Sequence, residues 1–582
     1  MVNLKEKPFY LNENEIKWVD DTIHGMTLEE KIGQLFILLK AKPGVNEDEI
    51  KEVVANYHQG GLRWQGGNKE SAWKQNMLYQ TYSKVPLFIA ANCDEGGNGC
   101  LPEGTFVATA AQAGAAKTTD TAYHMGYVSG REATAIGVNW MFNPVADIYK
   151  NWRNTIVNTR SFGNDTEAVI ENVRAYIKGI KDANPNMACT CKHFPGDGVD
   201  ELDPHLALAQ NTLSVEEWES SYGKVYQTMI DEGLETIMTG QIALPAMSKK
   251  LRPELSGREI MPASLAPELI TDLLRGQMGF NGVIVSDATH MIGMAAVMKR
   301  EDAIPMCIAA GCDMILFAND IAEDMGYVKA GLEKGIITEE RFLDALYRIV
   351  GLKAHLKLYR EDVRFIDEKY ISEWVGTKEH HAFTKQAAEE CITLVKDTAH
   401  LLPIDVNKQK KALLVYVQST PNSKGYQGDP VRGLITKELE AAGFEVTQAP
   451  NYYDMEVVNG VSPMNLIRML NNDPREVFKK KYDVVFLFIN VKGYAQENVV
   501  RMRWSCNHSC ELPWYIEEVP TVAVSLNYTN HLIDIPQVHT YVNAYGSNQE
   551  NIHAAVEKIC GRSEFLGSAN DTVFCGREDT RY

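Results

Sequence analysis

The chain has 582 residues, 45% of them hydrophobic and 23% charged, and a formal net charge of −19. That balance is ordinary for a globular protein with sizeable cores. So large a negative charge, with no Lys/Arg run and no aromatic-basic stripe, argues against a nucleic-acid partner and against an anionic membrane surface.

The N-terminal MVNLKEKPFYLNENEIKWVD has no apolar h-region, so no secretory signal is expected and the reading is cytoplasmic. The longest apolar run, Asp483-Val-Val-Phe-Leu-Phe-Ile-Asn490, is strand-sized and far short of the ~20 residues of a membrane span. The 11 cysteines form no regular framework. Cys189 and Cys191 share a face of one expected strand and read as core. Cys506, His508 and Cys510 offer metal-ligand chemistry without an evident fourth ligand, so no metal site is expected.

In chain order, Thr27 and Glu30 have capping-box spacing and open a helix, with Leu28, Ile32, Leu35, Phe36 and Leu39 on one apolar face. Short apolar strands then alternate with amphipathic helices. The expected strands are 61–64, 85–90, 138–142, 187–191, 236–239, 282–286 and 313–317; helices include 265–278 and 339–356. Seven or eight βα units in about 320 residues predict a TIM-type (β/α) barrel over residues 1–358. Near residue 358 the rhythm pauses. A connecting segment, 359–400, with a helix at 380–396, leads to a second α/β region at 401–582. Its strands are expected at 412–417, 482–489, 521–526 and 540–544, with a helix at 431–442. This pattern predicts an open, doubly wound α/β sandwich. Its first strand is not followed by GxGxxG, which disfavours a dinucleotide, and no cofactor is expected.

Polar residues follow the strands of the first region: Asn92 and Asp94, Asn143 and Asp147, Lys192 and His193, Gln241, and Asp287. In a (β/α) barrel these positions meet at one mouth. The segment Lys192-His-Phe-Pro-Gly-Asp-Gly-Val-Asp-Glu-Leu-Asp-Pro-His205 runs from a strand end through a Pro/Gly loop. Within it, Asp203 stands two residues before His205, so the carboxylate can hold one ring N–H and raise the basicity of the other nitrogen. A surface ion pair is the plainer alternative. Asp287 ends the run Phe280-Asn-Gly-Val-Ile-Val-Ser-Asp287; there a carboxylate can attack an anomeric carbon, or simply cap a helix.

Together with Asn143-Pro-Val-Ala-Asp147 and Arg160-Ser-Phe-Gly163, these segments resemble glycoside hydrolase family 3, in its β-N-acetylglucosaminidase branch, over nearly the whole chain. The resemblance implies that Asp287 is the nucleophile and His205 the general acid/base, oriented by Asp203. It also implies that Lys192, His193, Arg160 and Asp94 hold sugar hydroxyls, with Asn92 and Glu95 competing for the place of Asp94. Gln241 stands where relatives commonly carry a histidine. The expected activity is retaining, exo-acting hydrolysis of a saccharide ending in β-linked N-acetylhexosamine, GlcNAc before GalNAc. The rival readings are a phosphorylase, a β-glucosidase with a separate acid/base, and a non-catalytic saccharide binder. Oligomeric state is not legible.

Overall fold

The structure is a computed structural model and describes residues 1–40, 46–64, 67–419, 429–450, 473–493, 495–504 and 511–582. Cys506, Asn507, His508 and Cys510 lie outside the described residues. The chain divides into two compact units, Met1–Val107 with Thr119–Phe383, and Ala108–Thr118 with Thr384–Tyr582.

The first unit is built on eight parallel strands: β1 (Phe36–Lys40), β2 (Gly61–Trp64), β3 (Phe88–Ala91), β4 (Trp140–Met141), β5 (Ala188–Phe194), β6 (Thr236–Thr239), β7 (Val283–Ser286) and β8 (Ile315–Leu316). Their spatial order is β8-β1-β2-β3-β4-β5-β6-β7. A parallel bridge between Val285 and Met314 joins the two ends and closes the barrel. The interior is a packed core. Trp140 lies within it beside Phe88 and Phe142, and its indole N–H donates to the hydroxyls of Thr190 and Thr236 at 2.8 and 3.0 Å. Cys189 and Cys191 are fully buried on β5.

The first element to differ from its expectation lies near the N-terminus. The helix capped by Thr27 and Glu30 stops at Gly33, and Phe36–Lys40, expected as its continuation, is a strand. Phe36 pairs with Ile315 and Ile37 with Gly61, so this run is the first strand of the barrel. A short apolar run fits either period, and here the pairing partners decide.

The stretch 359–383 packs on the first unit. Trp73 Nε1 donates to the Ile366 carbonyl at 2.7 Å, and Arg364 to the Ser83 carbonyl at 2.6 Å. Buried Glu132 accepts from His380 Nδ1 and the Thr105 hydroxyl at 2.7 Å, from the Thr105 amide at 2.8 Å and from the Gly376 amide at 3.0 Å.

The second unit holds a six-stranded sheet: β9 (Thr393–Asp397), β10 (Lys411–Gln418), β11 (Glu445–Gln448), β12 (Val484–Asn490), β13 (Thr521–Ser525) and β14 (Thr540–Asn543). The order is β9-β14-β13-β12-β10-β11, parallel except for β9, which pairs antiparallel with β14. Strand β9 occupies the end of a segment expected as helix, whose helical part is Lys378–Cys391. Successive residues of β10 and β12 enter two different cores. Leu414, Tyr416, Phe486 and Phe488 face one, and Leu413, Val415, Val485 and Leu487 the other. A sheet buried on both faces is what a doubly wound domain requires. No helix among the described residues is long and apolar enough to cross a membrane.

Below the barrel, Asp313, just before β8, is fully buried. It accepts from Arg275 Nη2 at 2.6 Å, from the Ile284 amide at 2.8 Å and from Arg341 Nη2. Removing a buried anion strands its cations, so Asp313→Ala should cost about 3–5 kcal/mol. Urea unfolding followed by tryptophan fluorescence checks this, and a midpoint equal to that of the unaltered protein would refute it.

Candidate active site

The carboxyl ends of the barrel strands carry a set of charges that hold one another. Lys192 is the fifth residue of β5 and only 1% exposed, with its ammonium 3.9 Å from Asp94. Asp94, three residues beyond β3, also accepts from Arg160 Nε at 2.8 Å and from the Asn143 side-chain amide. Asn143 is itself locked, because its carbonyl oxygen accepts the Cys93 amide at 2.7 Å. Burial opposes ionisation of Asp94. The Arg160 and Lys192 charges, with hydrogen bonds from Arg160 and Asn143, outweigh it and hold the carboxyl well below the usual carboxylate range. Burial pushes the Lys192 ammonium down to about 8, against the pull of Asp94 and Asp287. Arg63, the third residue of β2, donates to Asn92 at 3.4 Å and adds a cation that feels both Asp94 and Asp287.

His193 follows Lys192. Its Nδ1 lies 2.7 Å from Asp147 Oδ2, and its amide donates to Asp147 Oδ1 at 3.1 Å. Asp147 is fully buried. With Nδ1–H donating to this carboxylate, Nε2 is the nitrogen that can receive a hydroxyl proton.

A second imidazole–carboxylate pair sits in the loop after β5. His205 Nδ1 lies 2.7 Å from Asp203 Oδ1, and the same oxygen accepts the His205 amide at 2.8 Å. Asp203 is buried, whereas the His205 side chain is 27% exposed. Burial opposes the imidazolium, but the hydrogen bond and charge of Asp203, helped by Asp287, outweigh it and raise the pKa of His205 above that of a free imidazole. His205 therefore keeps its proton to higher pH than a free histidine, and loses it as pH rises through that elevated value.

Asp287 leaves the end of β7. Its amide donates to the Thr239 carbonyl at 2.8 Å, and its Oδ1 accepts the Ala288 amide at 2.7 Å. The chain just beyond it docks the His205 loop, since the Gly293 amide donates to the Pro204 carbonyl at 3.0 Å and the Ile292 amide to the His205 carbonyl at 3.4 Å. Glycine is needed at 293. A Cβ there would lie 2.8 Å from the Gln241 carbonyl oxygen and 3.0 Å from that of Pro204. Gln241 is wholly buried; its side chain accepts from the Ser264 hydroxyl and donates to the Asp287 carbonyl at 3.3 Å, so it braces the backbone of the Asp287 turn.

The expected residues thus occupy three groups. Asp94, Arg160 and Lys192 form one ion cluster, His193 is paired with Asp147, and Asp203 and His205 form a pair tied by backbone to the turn of Asp287. Arg63, Gly293 and Asp197 were not singled out by sequence. Asp147 stands after a strand and ends the Asn143-Pro-Val-Ala-Asp147 segment of the family resemblance, but neither placement distinguishes it as the partner of His193. Asp197 lies in the Pro/Gly loop, where its amide donates to Asp147 Oδ1 at 2.8 Å.

Residues 27–352 match the model of the glycosyl hydrolase family 3 N terminal domain. Over 582 residues, all of both chains, the sequence is 37% identical to a Cellulomonas fimi protein named beta-N-acetylglucosaminidase/beta-glucosidase. Over 203 residues it is 32% identical to a beta-hexosaminidase of Pseudomonas aeruginosa, covering 35% of this chain and 57% of that one. Among solved structures it is similar to a beta-glucoside phosphorylase, BglX, with a TM-score of 0.89 and 34% identity across 99% of each chain. A family 3 beta-N-acetylglucosaminidase from Paenibacillus sp. shares the fold, with a TM-score of 0.73 at 21% identity over 94% of this chain and 98% of that one.

Gly293→Ala should push the His205 loop off its dock. Amide exchange at residues 203–207 is expected to speed up at least about tenfold, a loss of about 1.4 kcal/mol of local stability, while β5 keeps its protection. Unchanged exchange in that loop would show that the close approach at Gly293 does not hold it.

Proposed function

This chain belongs to glycosyl hydrolase family 3, and from that footing we propose that it is a retaining, exo-acting enzyme that cleaves terminal β-linked N-acetylglucosamine from a saccharide. The observation that carries the reading is the His205–Asp203 pair, 2.7 Å apart and anchored through Pro204 to the turn of Asp287. It supplies a proton donor and a nucleophile on connected backbone.

In the proposed reaction Asp94, Arg160, Lys192 and His193 bind the hydroxyls of the terminal sugar. Asp287 Oδ1 is engaged by the Ala288 amide, which leaves Oδ2 to attack the anomeric carbon. As that bond forms, the glycosidic C–O bond breaks and His205 Nε2 gives its proton to the departing oxygen. The product is a glycosyl ester of Asp287 with inverted configuration. His205, now neutral, takes a proton from water, and the hydroxide displaces Asp287 to restore the β configuration. Asp203 acts through His205 by fixing the Nδ1–H tautomer and favouring the imidazolium.

A second reading concerns the acceptor and the sugar. The full-length similarity to a protein named beta-glucoside phosphorylase favours phosphate in place of water, and glucosides beside N-acetylglucosaminides. The chemistry is compatible. A neutral imidazole does not repel an incoming phosphate as a carboxylate base would, and two inversions would yield a β-configured sugar 1-phosphate.

Asp287→Asn should abolish release of 4-nitrophenol from its β-GlcNAc glycoside in phosphate-free buffer. His205→Ala should lower turnover of unactivated saccharides by about 10²–10⁴-fold, and that of the 4-nitrophenyl substrate by much less, because a good leaving group needs no proton. Retained activity in Asp287→Asn would sink the mechanism. Adding phosphate separates the two acceptors. Faster turnover with formation of a sugar 1-phosphate identifies phosphorolysis, and an unchanged rate with free sugar as product identifies hydrolysis.

A further inference from the structure

Asp94 stands just past the end of the sheet, and side chains rather than strand pairing hold the backbone that carries it. The ladder between β3 and β4 ends where Ala91 pairs with Met141. Two residues on, Cys93 is fully buried, so its peptide groups need partners. Its amide donates to Asn143 Oδ1 at 2.7 Å. Its carbonyl accepts from the Tyr176 hydroxyl at 2.5 Å and from the Ser129 hydroxyl at 3.1 Å, and the two hydroxyls lie 3.2 Å apart. Each hydroxyl has one proton and the carbonyl has two lone pairs, so both bonds form together. Tyr176 is 1% exposed and Ser129 is fully buried.

Tyr176 comes from the helix Thr166–Ala183 and Ser129 from the helix Asp120–Ala135. The two helices meet backbone to backbone beside the tyrosine. A Cβ on Gly126 would lie 2.0 Å from the Tyr176 carbonyl oxygen, and one on Gly179 would lie 2.2 Å from that of Tyr123. The tyrosine backbone is thus fixed at a close contact, and its ring reaches from there to the loop after β3.

We propose that Tyr176 is a positioning residue: with Ser129 it clamps the peptide that joins Cys93 to Asp94, and so sets the direction from which the Asp94 carboxylate meets Arg160, Lys192 and the hydroxyls of the bound sugar. The sugar contact of Asp94 rests on the function proposed above; the clamp itself does not.

The physical argument is one of leverage. The Cys93 carbonyl and the Asp94 amide belong to one planar unit. Fixing that plane leaves Asp94 only its own backbone and side-chain torsions. Its two oxygens have separate tasks. Oδ1 accepts the Asn143 side-chain amide and faces Lys192 at 3.9 Å, and Oδ2 accepts Arg160 Nε at 2.8 Å. Asn143 bonds the Cys93 amide with its oxygen and the Asp94 carboxylate with its nitrogen, so a rotation of the peptide would strain that bridge as well. Loss of the Tyr176 hydroxyl leaves the buried carbonyl with the longer bond from Ser129 alone, and the plane is then free to turn toward a better donor. A displacement of about 1 Å at a binding group is enough to cost an enzyme about 10²-fold.

A crystal structure of sugar-free Tyr176→Phe gives the first test. The bond from Arg160 Nε to Asp94 Oδ2, 2.8 Å in the unaltered protein, should lengthen past about 3.5 Å. The second is a double-mutant cycle on the Kd for N-acetylglucosamine. Tyr176→Phe should raise that Kd at least about fivefold in the unaltered background and less than about twofold in Asp94→Asn, because the hydroxyl acts through the carboxylate. A hydroxyl that served stability alone would weaken sugar binding by the same factor in both backgrounds. Ser129→Ala removes the longer of the two bonds; it should repeat the pattern with smaller amplitude, which keeps the test open if Tyr176→Phe folds poorly. An unmoved Asp94 in the sugar-free variant, or equal losses of affinity in the two backgrounds, would overturn the proposal. A displaced Asp94 with unchanged sugar affinity would overturn the assignment of Asp94 to sugar instead and leave the clamp standing.

Discussion

A buried ammonium is the constraint around which the mouth of the barrel is arranged. Lys192 points from β5 into a space from which water is almost excluded, and a lone cation there would cost several kcal/mol. Asp94 supplies the compensating charge, but one carboxylate shared by Lys192 and Arg160 must itself be held in place. Asn143 does that, and Asn143 is fixed in turn by the Cys93 amide. Residues from the ends of three strands therefore position one another. The same packing brings Arg63 close enough to feel the cluster and Asp287. A site so dense in fixed charge is organised before any ligand enters, which is the condition for electrostatic stabilisation without reorganisation.

Two imidazole–carboxylate pairs with nearly the same geometry lie beside this cluster, and their surroundings separate them. His193 is 14% exposed against a wholly buried Asp147, and that carboxylate also collects two backbone amides. His205 is 27% exposed, on a loop tied down by backbone hydrogen bonds from residues 292 and 293. In the proposed reaction the first pair is a rigid grip and the second a proton carrier. Equal chemistry in unequal environments is how one site divides such tasks.

The division of labour extends along the barrel axis. At the far end, Asp313 binds Arg275 and Arg341 in a closed network that serves stability, while Asp94, Arg160 and Lys192 gather at the carboxyl ends of the strands. The separate six-stranded sheet follows a different rule. Its central strands bury both faces, so they read as continuous apolar runs.

The residues alone determined whatever depends on short range. The alternation of apolar strands and helices announced the barrel and the second sheet, and the Asp203–His205 spacing placed one carboxylate against one ring because two residues of loop can do so unaided. The order of polar residues after strands marked the mouth. Sequence did not separate helix from strand in Phe36–Lys40, because an apolar run of that length satisfies both periods until its neighbours in the sheet are known. Nor did it show that Arg63 reaches Asn92, that Asp147 backs His193, or that Gly293 docks the loop of Pro204. Those contacts join segments far apart along the chain, and closure of the barrel is what brings them within hydrogen-bonding distance. Only the tertiary structure decided which charges share a dry pocket, and burial together with neighbouring charge, rather than residue type, sets where their protons reside.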